Sequence, residues 1–328
     1  MSVRRVRVWL KIGGKDIYPN IADYVKSLRV MDDAREKTKS RIDVTLADVD
    51  GKFSDDPNFM KVQTVIDAGL YVQEEEKKYK VPFGKFSVTS CSGSRFKDMS
   101  ISGISYVPNR ANLRKVINRH FENASLRDVL SALISSAGFT PVLEGVPELV
   151  YESIEVKNQS IEDFIKQKAF ELGLEFFVRG DKVIVGELPE VPEIRLNVNE
   201  PPVIDLSYNF DLKKSYSKIV VMYHDFQSKR TIRYEYETGL PGDVYKHVER
   251  VKSVEEAKRV AKGLAKKLNE KVGQVRLVCK GFPVWAGSKV ILKGIKRFEG
   301  RYKVEKVSHS IDAGSEWRTN LELKLDLS

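Results

Sequence analysis

Cysteine, histidine and long apolar runs are all scarce in this chain, and each scarcity removes a class of function. Two cysteines, Cys91 and Cys279, stand far apart in the 328 residues, with no CxxC pair. That excludes a disulfide framework and a cysteine-based zinc site, and leaves two reduced cysteines in strands. The four histidines, His120, His224, His247 and His309, show neither HExxH nor HxH spacing. Each is read as structural or surface, with no metal and no cofactor expected. No stretch reaches the roughly 18 apolar residues that span a bilayer. Met1 to Leu10 alternates arginine with valine instead of forming the continuous apolar core of a signal peptide. No membrane partner is expected, and the chain reads as made in the cytoplasm.

Catalytic patterns are missing too. Gly281-Phe-Pro-Val-Trp-Ala-Gly287-Ser-Lys289 superficially suggests a phosphate loop, but five residues separate its glycines instead of four. Its Lys also follows its Ser, and a strand candidate follows where a helix is required, so a turn between strands is the reading. Asp55-Asp56 and Glu74-Glu75-Glu76 have no second acid placed against them across a cleft, and acids in turns are ordinarily solvated. No GxSxG occurs. The chain is read as non-enzymatic, with no catalytic residue.

What the chain does have is the composition of a globular protein, 41% hydrophobic and 31% charged, with a net charge of +10. Such a charge permits an anionic partner without naming one. Lys258, Arg259, Lys262, Lys266, Lys267 and Lys271 lie on or near one helix candidate, diluted by Glu255, Glu256 and Glu270. Lys213, Lys214, Lys218, Lys229, Arg230 and Arg233 form a looser set. Both are solvated faces or contacts to phosphate or acidic protein. There is no zinc-finger or RNP pattern.

One pattern occurs twice, 35 residues apart: Asn123-Ala-Ser125-Leu126-Arg-Asp128-Val129-Leu130 before Gly138, and Asn158-Gln-Ser160-Ile161-Glu-Asp163-Phe164-Ile165 before Gly173. Each copy predicts a capped helix: a Ser N-cap, an Asp in the first turn, an apolar stripe and a left-handed Gly exit. Short apolar runs follow each Gly, and Val178-Arg-Gly180-Asp181-Lys-Val183 predicts a hairpin.

This α/β module, 107–187, separates two β-rich regions. Residues 1–106 carry short alternating runs with frequent turn signals, which suggest an antiparallel barrel or sandwich. Span 188–202 holds Pro189, Pro192, Pro201 and Pro202 and reads as a linker. Residues 203–328 return to strands around one helix at about 253–272, opened by a Ser253/Glu256 capping box. A fainter echo links the two regions: Gly84-Lys-Phe86-Ser-Val88 through Ser92 resembles Gly300-Arg-Tyr302-Lys-Val304 through Ser308, offset by 216 throughout.

At Leu113-Arg-Lys-Val-Ile-Asn-Arg-His-Phe121 through Leu130, and on to Ala137-Gly138-Phe139, the chain resembles the late control protein family of contractile-tail phages. That family forms the baseplate or tail hub and is related to the base of type VI secretion spike proteins. Asn158 to Phe164, Ala169 to Phe176, Gly281 to Gly287 and Gly300 to His309 agree with it, so the resemblance covers about residues 80–328. It implies an α+β fold, mostly β, with two tube-like antiparallel β-barrel domains flanking the α/β module. It also implies a homotrimer that matches a sixfold tail tube to a threefold central spike. The expected partners are itself, the tail tube protein and a separate central spike protein. Nucleic acid is a passenger through the lumen. The expected place is the virion tail (baseplate) or a tail-like contractile injection system, assembled in the bacterial or archaeal host cytoplasm. Candidate partner-contact residues are Lys258, Lys262 and Lys266 on the helix and Arg5 and Arg7 on the first strand. The alternatives are a basic nucleic-acid-binding protein and a carbohydrate-acting enzyme on a β scaffold.

Overall fold

Alternation of apolar and charged residues makes the first strand. In β1 (Arg5–Ile12) Val8 and Leu10 are buried while Arg5 and Arg7 are exposed, the period-two burial of a pleated strand. The structure is a computed structural model. It describes residues 4–12, 21–34, 40–56, 59, 63–94, 96–186, 193–225, 229–248, 251, 253–270, 272–296, 298–312 and 316–326. Gly13, Gly14, Ile17, Tyr18, Pro189, Pro192 and Lys271 fall outside these residues.

β2 (Val25–Asp33) and β3 (Arg41–Ala47) form the next antiparallel pair. β4 (Val65–Glu74) and β5 (Lys77–Gly93) meet at the acidic turn, where Glu75 takes a left-handed φ of 54°. β5 is one strand of 17 residues, bent at a bulge. Pairing steps from Gly69↔Pro82 to Ala68↔Gly84, so Phe83 is the extra residue and Pro82 sits where the ladder is already broken. β6 (Asp98–Ser105) returns beside β5 and β3.

A single turn, α1 (Arg110–Leu113), leads into the α/β module, where the repeated pattern is a strand–helix–strand unit built twice. The first unit is β7 (Val116–Ser125), α2 (Leu126–Ser136) and β8 (Thr140–Glu144); the second is β9 (Val150–Ser160), α3 (Ile161–Glu171) and β10 (Glu175–Arg179). The expected caps are present. Ser125 Oγ accepts from Asp128 N at 3.1 Å and Ser160 Oγ accepts from Asp163 N at 3.0 Å. Gly138 (φ 81°) and Gly173 (φ 67°) make the left-handed exits. The repeated Asn is also accounted for: Asn123 (φ 48°) and Asn158 (φ 50°) both take the left-handed conformation, which asparagine tolerates, just before the cap. Leu126, Val129, Leu130, Leu133 and Ile134 pack with Ile161, Phe164, Ile165 and Ala169 in one core. β7 pairs β9, and β11 (Lys182–Gly186) lies between β10 and β8.

The Pro-rich span 188–202 contributes a short strand, β12 (Ile194–Asn197). Then follow β13 (Val203–Phe210), β14 (Tyr216–Asp225), β15 (Arg230–Glu237), β16 (Asp243–Val248), α4 (Val254–Asn269), β17 (Gly273–Lys280), β18 (Lys289–Lys293), β19 (Gly300–Asp312) and β20 (Arg318–Leu325). α4 starts at the expected Ser253 cap, which accepts from Glu256 N at 3.1 Å. Its apolar face, with Ala257, Val260, Ala261 and Leu264, closes a small core over β14. None of the helices among the described residues is long and apolar enough to cross a membrane.

The expectation of two separate tube-like barrels needs correction: no sheet among the described residues closes into a barrel. Twelve strands from both β regions share one sheet, in the order β1-β4-β5-β6-β3-β2-β19-β20-β17-β13, with β18 and β12 branching from β19. The physical reason lies in β2 and β19. Residues 306–312 run antiparallel to residues 27–33, so the free edge of one region is covered by a strand of the other instead of folding back on its own copy.

Candidate functional site

Within the shared sheet, one five-stranded unit is built twice. β2-β3-β6-β5-β4 and β13-β17-β20-β19-β18 have the same neighbours in the same chain order. The ladders coincide residue by residue. Phe86↔Ser105 and Val88↔Gly103 match Tyr302↔Leu325 and Val304↔Leu323. A bulge follows at the same point in both, after which pairing resumes at Ser90↔Ser102 and at Lys306↔Glu322. A second shared bulge separates Val25↔Leu46 from Ser27↔Thr45 in one unit and Val203↔Cys279 from Asp205↔Val278 in the other. Bulges are specific departures from regular pairing, so two at equivalent places mark a duplication. The echo between Gly84–Ser92 and Gly300–Ser308 is the part of it that survives in sequence. The α/β module lies between the units, and β14, β15, β16 and α4 are inserted after the first strand of the second unit.

The two units meet at β2 and β19, where packing is dense. Leu28 (1% exposed), Val30 (2%) and Val307 (0%) are buried there. His309 is buried beside Phe83, Trp285 and Trp317. Its Nε2 lies 3.1 Å from the Val284 carbonyl, and its Nδ1 accepts from Trp317 Nε1 at 3.3 Å. Burial pushes its pKa down to about 4, against a smaller upward pull from the Val284 carbonyl. The uncharged ring suits these bonds, since one nitrogen donates and the other accepts. The bulge residue Phe83, 5.1 Å from His309 between ring centres, is thus aimed into the junction. A cavity of about 660 Å³ opens beside it between the sheet and β10–β11, lined by Phe83, Phe177, Trp285, Asp32 and Arg179 among others. Asp32 is already engaged, by Ala286 N (2.9 Å), Ser40 Oγ (2.8 Å) and Arg179 (3.6 Å). No group of three or more metal-ligating side chains occurs among the described residues.

A buried ion cluster fastens the α/β module to the second unit. Glu175 on β10 takes Lys267 of α4 at 2.9 Å and Lys303 of β19 at 3.4 Å. Burial alone would raise this carboxyl, but Lys267, Lys324 and Lys303 together hold it well below the usual range. Nearby, Lys324 pairs with Glu270 at 2.8 Å. Where α3 exits onto α4 the backbones nearly touch. A Cβ on Gly263 would lie 2.5 Å from Gly173 N, so neither position accepts a side chain without separating the helices.

The residues singled out from sequence are divided by this arrangement. Lys258 and Lys262 share the exposed side of α4. Lys266 is half-buried, and burial, with Lys303 beside it, brings its pKa down to about 8. It belongs to the ion cluster with Lys267. Arg5 and Arg7 are exposed on β1, the terminal strand of the sheet, with Arg7 3.6 Å from Asp23. The two sets sit on separate elements, since α4 packs against β14, β15 and α3. Sequence reasoning missed the junction residues and Glu175. The one sequence signal that reaches the junction is the echo, which aligns Cys91 with Val307 and Ser92 with Ser308.

No family model and no curated protein matches the sequence. Solved structures do match. The 43 kDa tail protein of prophage MuSo2 from Shewanella oneidensis superposes with a TM-score of 0.65 at 13% identity, covering 97% of this chain and 98% of that one. A tail protein from Neisseria meningitidis gives 0.65 at 12% identity over 98% and 97%. An E. coli component of the type VI secretion system, described as similar to bacteriophage T4 tail proteins, gives 0.55 at 10% over 98% and 77%. End to end, the chain has the fold of phage tail and type VI secretion proteins.

Proposed function

We propose that this chain is a non-enzymatic structural hub of a phage tail or tail-like injection particle, a homotrimer joining a sixfold tail tube to a threefold central spike. The observation that carries the reading is the duplicated five-stranded unit in one continuous sheet. Three chains offer six near-equivalent units to a sixfold tube while remaining threefold toward a spike, which is what a symmetry adaptor between the two needs. Likeness in fold to tail proteins supports the same reading. The partners are a second and third copy, the tube protein and the spike protein. Nucleic acid is a passenger, and the place is the particle's tail.

Sedimentation over a range of protein and salt concentrations, with and without duplex DNA, tests this. One chain is 37.4 kDa, and a closed trimer has three times that mass. The expected result is a salt-resistant trimer indifferent to DNA, and its co-purification with co-expressed tube and spike proteins. A monomer that shifts only on adding DNA, with steep salt dependence, would replace the hub with a nucleic-acid-binding protein.

A further inference from the structure

We propose that the cavity between the α/β module and the shared sheet is a docking site for an extended segment of a partner protein, which adds to the free edge of β10 as a further strand. The cavity, about 660 Å³, has the size of a ligand site and lies where two parts of the fold meet. What distinguishes it is the main chain on one wall. β10 ends its three-stranded sheet and, among the described residues, pairs only with β11. Gly180 and Asp181 make a two-residue turn between the paired residues Arg179 and Lys182. Residues flanking such a turn exchange their backbone bonds, and bonding to the partner strand then alternates along the hairpin. Arg179, Phe177 and Glu175 therefore bond to β11, while the N–H and C=O of Phe176 and Val178 point away from it. Both residues line the cavity, yet both pack their side chains into the core of the α/β module. What they offer the cavity is backbone, and a row of unpaired backbone groups is completed by another polypeptide main chain.

The position of such a strand fixes the character of its central residue. A residue opposite Phe177 shares a face of the sheet with it. Phe177 is buried but lies outside the module core, with the Arg179 guanidinium 5.8 Å from its ring centre. Arg179 donates to the Ala286 carbonyl at 2.8 Å, so this face looks toward the second unit. Phe83, the extra residue of the β5 bulge, and Trp285 are half-buried and line the same cavity. An apolar or aromatic side chain at the central position would fill the space among these three rings. Arg114 also lines the cavity; its side chain is exposed and, among the described residues, has only a 3.6 Å contact with Glu162. It suits an acidic residue elsewhere in the segment. The net charge of +10 favours an acidic partner over a second copy of this chain. The proposal goes beyond the hub reading and does not depend on how many copies assemble.

The probe is a displayed library of random peptides of about twelve residues, long enough to span β10 with ends to spare. It is selected against the full chain in solution. Selected peptides are expected to share an apolar residue with an acid nearby, and their binding is read by fluorescence anisotropy. On binding, backbone hydrogen exchange should slow at least tenfold at Phe176 and Val178. N-methylation of alternate peptide residues should abolish binding in one phase and spare it in the other, because only one set of N–H groups faces β10. V178P removes a donor from the edge, a place where sheets accept proline, and should weaken binding at least tenfold. Val178 is half-buried, so F83A serves if V178P folds poorly. It keeps the edge, removes one of the three rings and should weaken the same peptides at least tenfold. A library that yields no binding peptide overturns the proposal. So do peptides that bind while Phe176 and Val178 exchange as before. Protection of these two amides that grows with the concentration of the chain alone also overturns it, and assigns the edge to a second copy. Each of these failures leaves the hub reading to the sedimentation result.

Discussion

His309 is 3% exposed, with a pKa brought down to about 4 from 6.5. Its folded pKa lies below its unfolded one, so between pH 6.5 and about 4 the unfolded chain binds a proton that the folded chain does not. Stability is lost as pH falls through that window, by up to roughly 3 kcal/mol if the whole shift is realised. Thermal unfolding from pH 7 to 4 should therefore show a slope that H309Q flattens, even if H309Q is less stable at pH 7. An unchanged slope would assign acid sensitivity elsewhere. Glu175 has the same sign in a lower window. Its depressed pKa contributes stability that is complete above its ordinary value of 4.5 and lost as pH falls below it. E175Q should cost about 3 kcal/mol at pH 7, because it leaves Lys267 and Lys303 buried without their anion. Denaturant unfolding of E175Q would show it. A cost no larger than that of an ordinary surface substitution would mean the lysines find water instead. Neither residue was legible in the sequence. His309 was read only as structural or surface, and Glu175 is an acid in a strand. Their roles come from lysines and aromatics that lie far away in the chain.

Elements were far more legible, and the reason is local chemistry. Ser125, Asp128 and Gly138, like Ser160, Asp163 and Gly173, act within a turn of their own position, so spacing alone locates both helices. S125A and S160A should each cost about 1 kcal/mol. They test whether the repeated Ser is a cap or only an exposed polar residue. Gly263 is the contrasting case. Nothing in its own helix calls for glycine; the reason is the backbone of Gly173, 2.5 Å from where its Cβ would be. G263A should lose about 1–3 kcal/mol despite alanine's better helix propensity, since the clash is with backbone that cannot rotate away. A stabilised G263A, read from the same unfolding curves, would show that α3 and α4 separate easily. The strands fall between these cases. Alternation placed most of them, but it does not say which strand pairs with which. Two separate barrels and one sheet shared by both units fit the same pattern of apolar residues, and only pairing between β2 and β19 decides.

At the scale of the molecule the question is what the net charge of +10 meets. The structure withdraws Lys266 and Lys267 into the cluster around Glu175 and leaves Lys258 and Lys262 outside. That separation makes a clean experiment. K258E/K262E changes exposed side chains only, so stability should move by about 0.5 kcal/mol or less. It lowers the net charge from +10 by 4, to +6. If this face of α4 meets an acidic rim of tube or spike, the double variant should still sediment as a trimer, while capture of one partner falls at least tenfold and no longer weakens as salt is raised. Like charges brought together repel, and the loss should be greatest at low salt, where screening is least. Unimpaired capture of both partners would return this side of α4 to solvent, leaving Arg5 and Arg7 on β1 and the looser basic set between Lys213 and Arg233 as the next to test. Loss of the trimer itself would mean that α4 acts inside the ring, not at its rim.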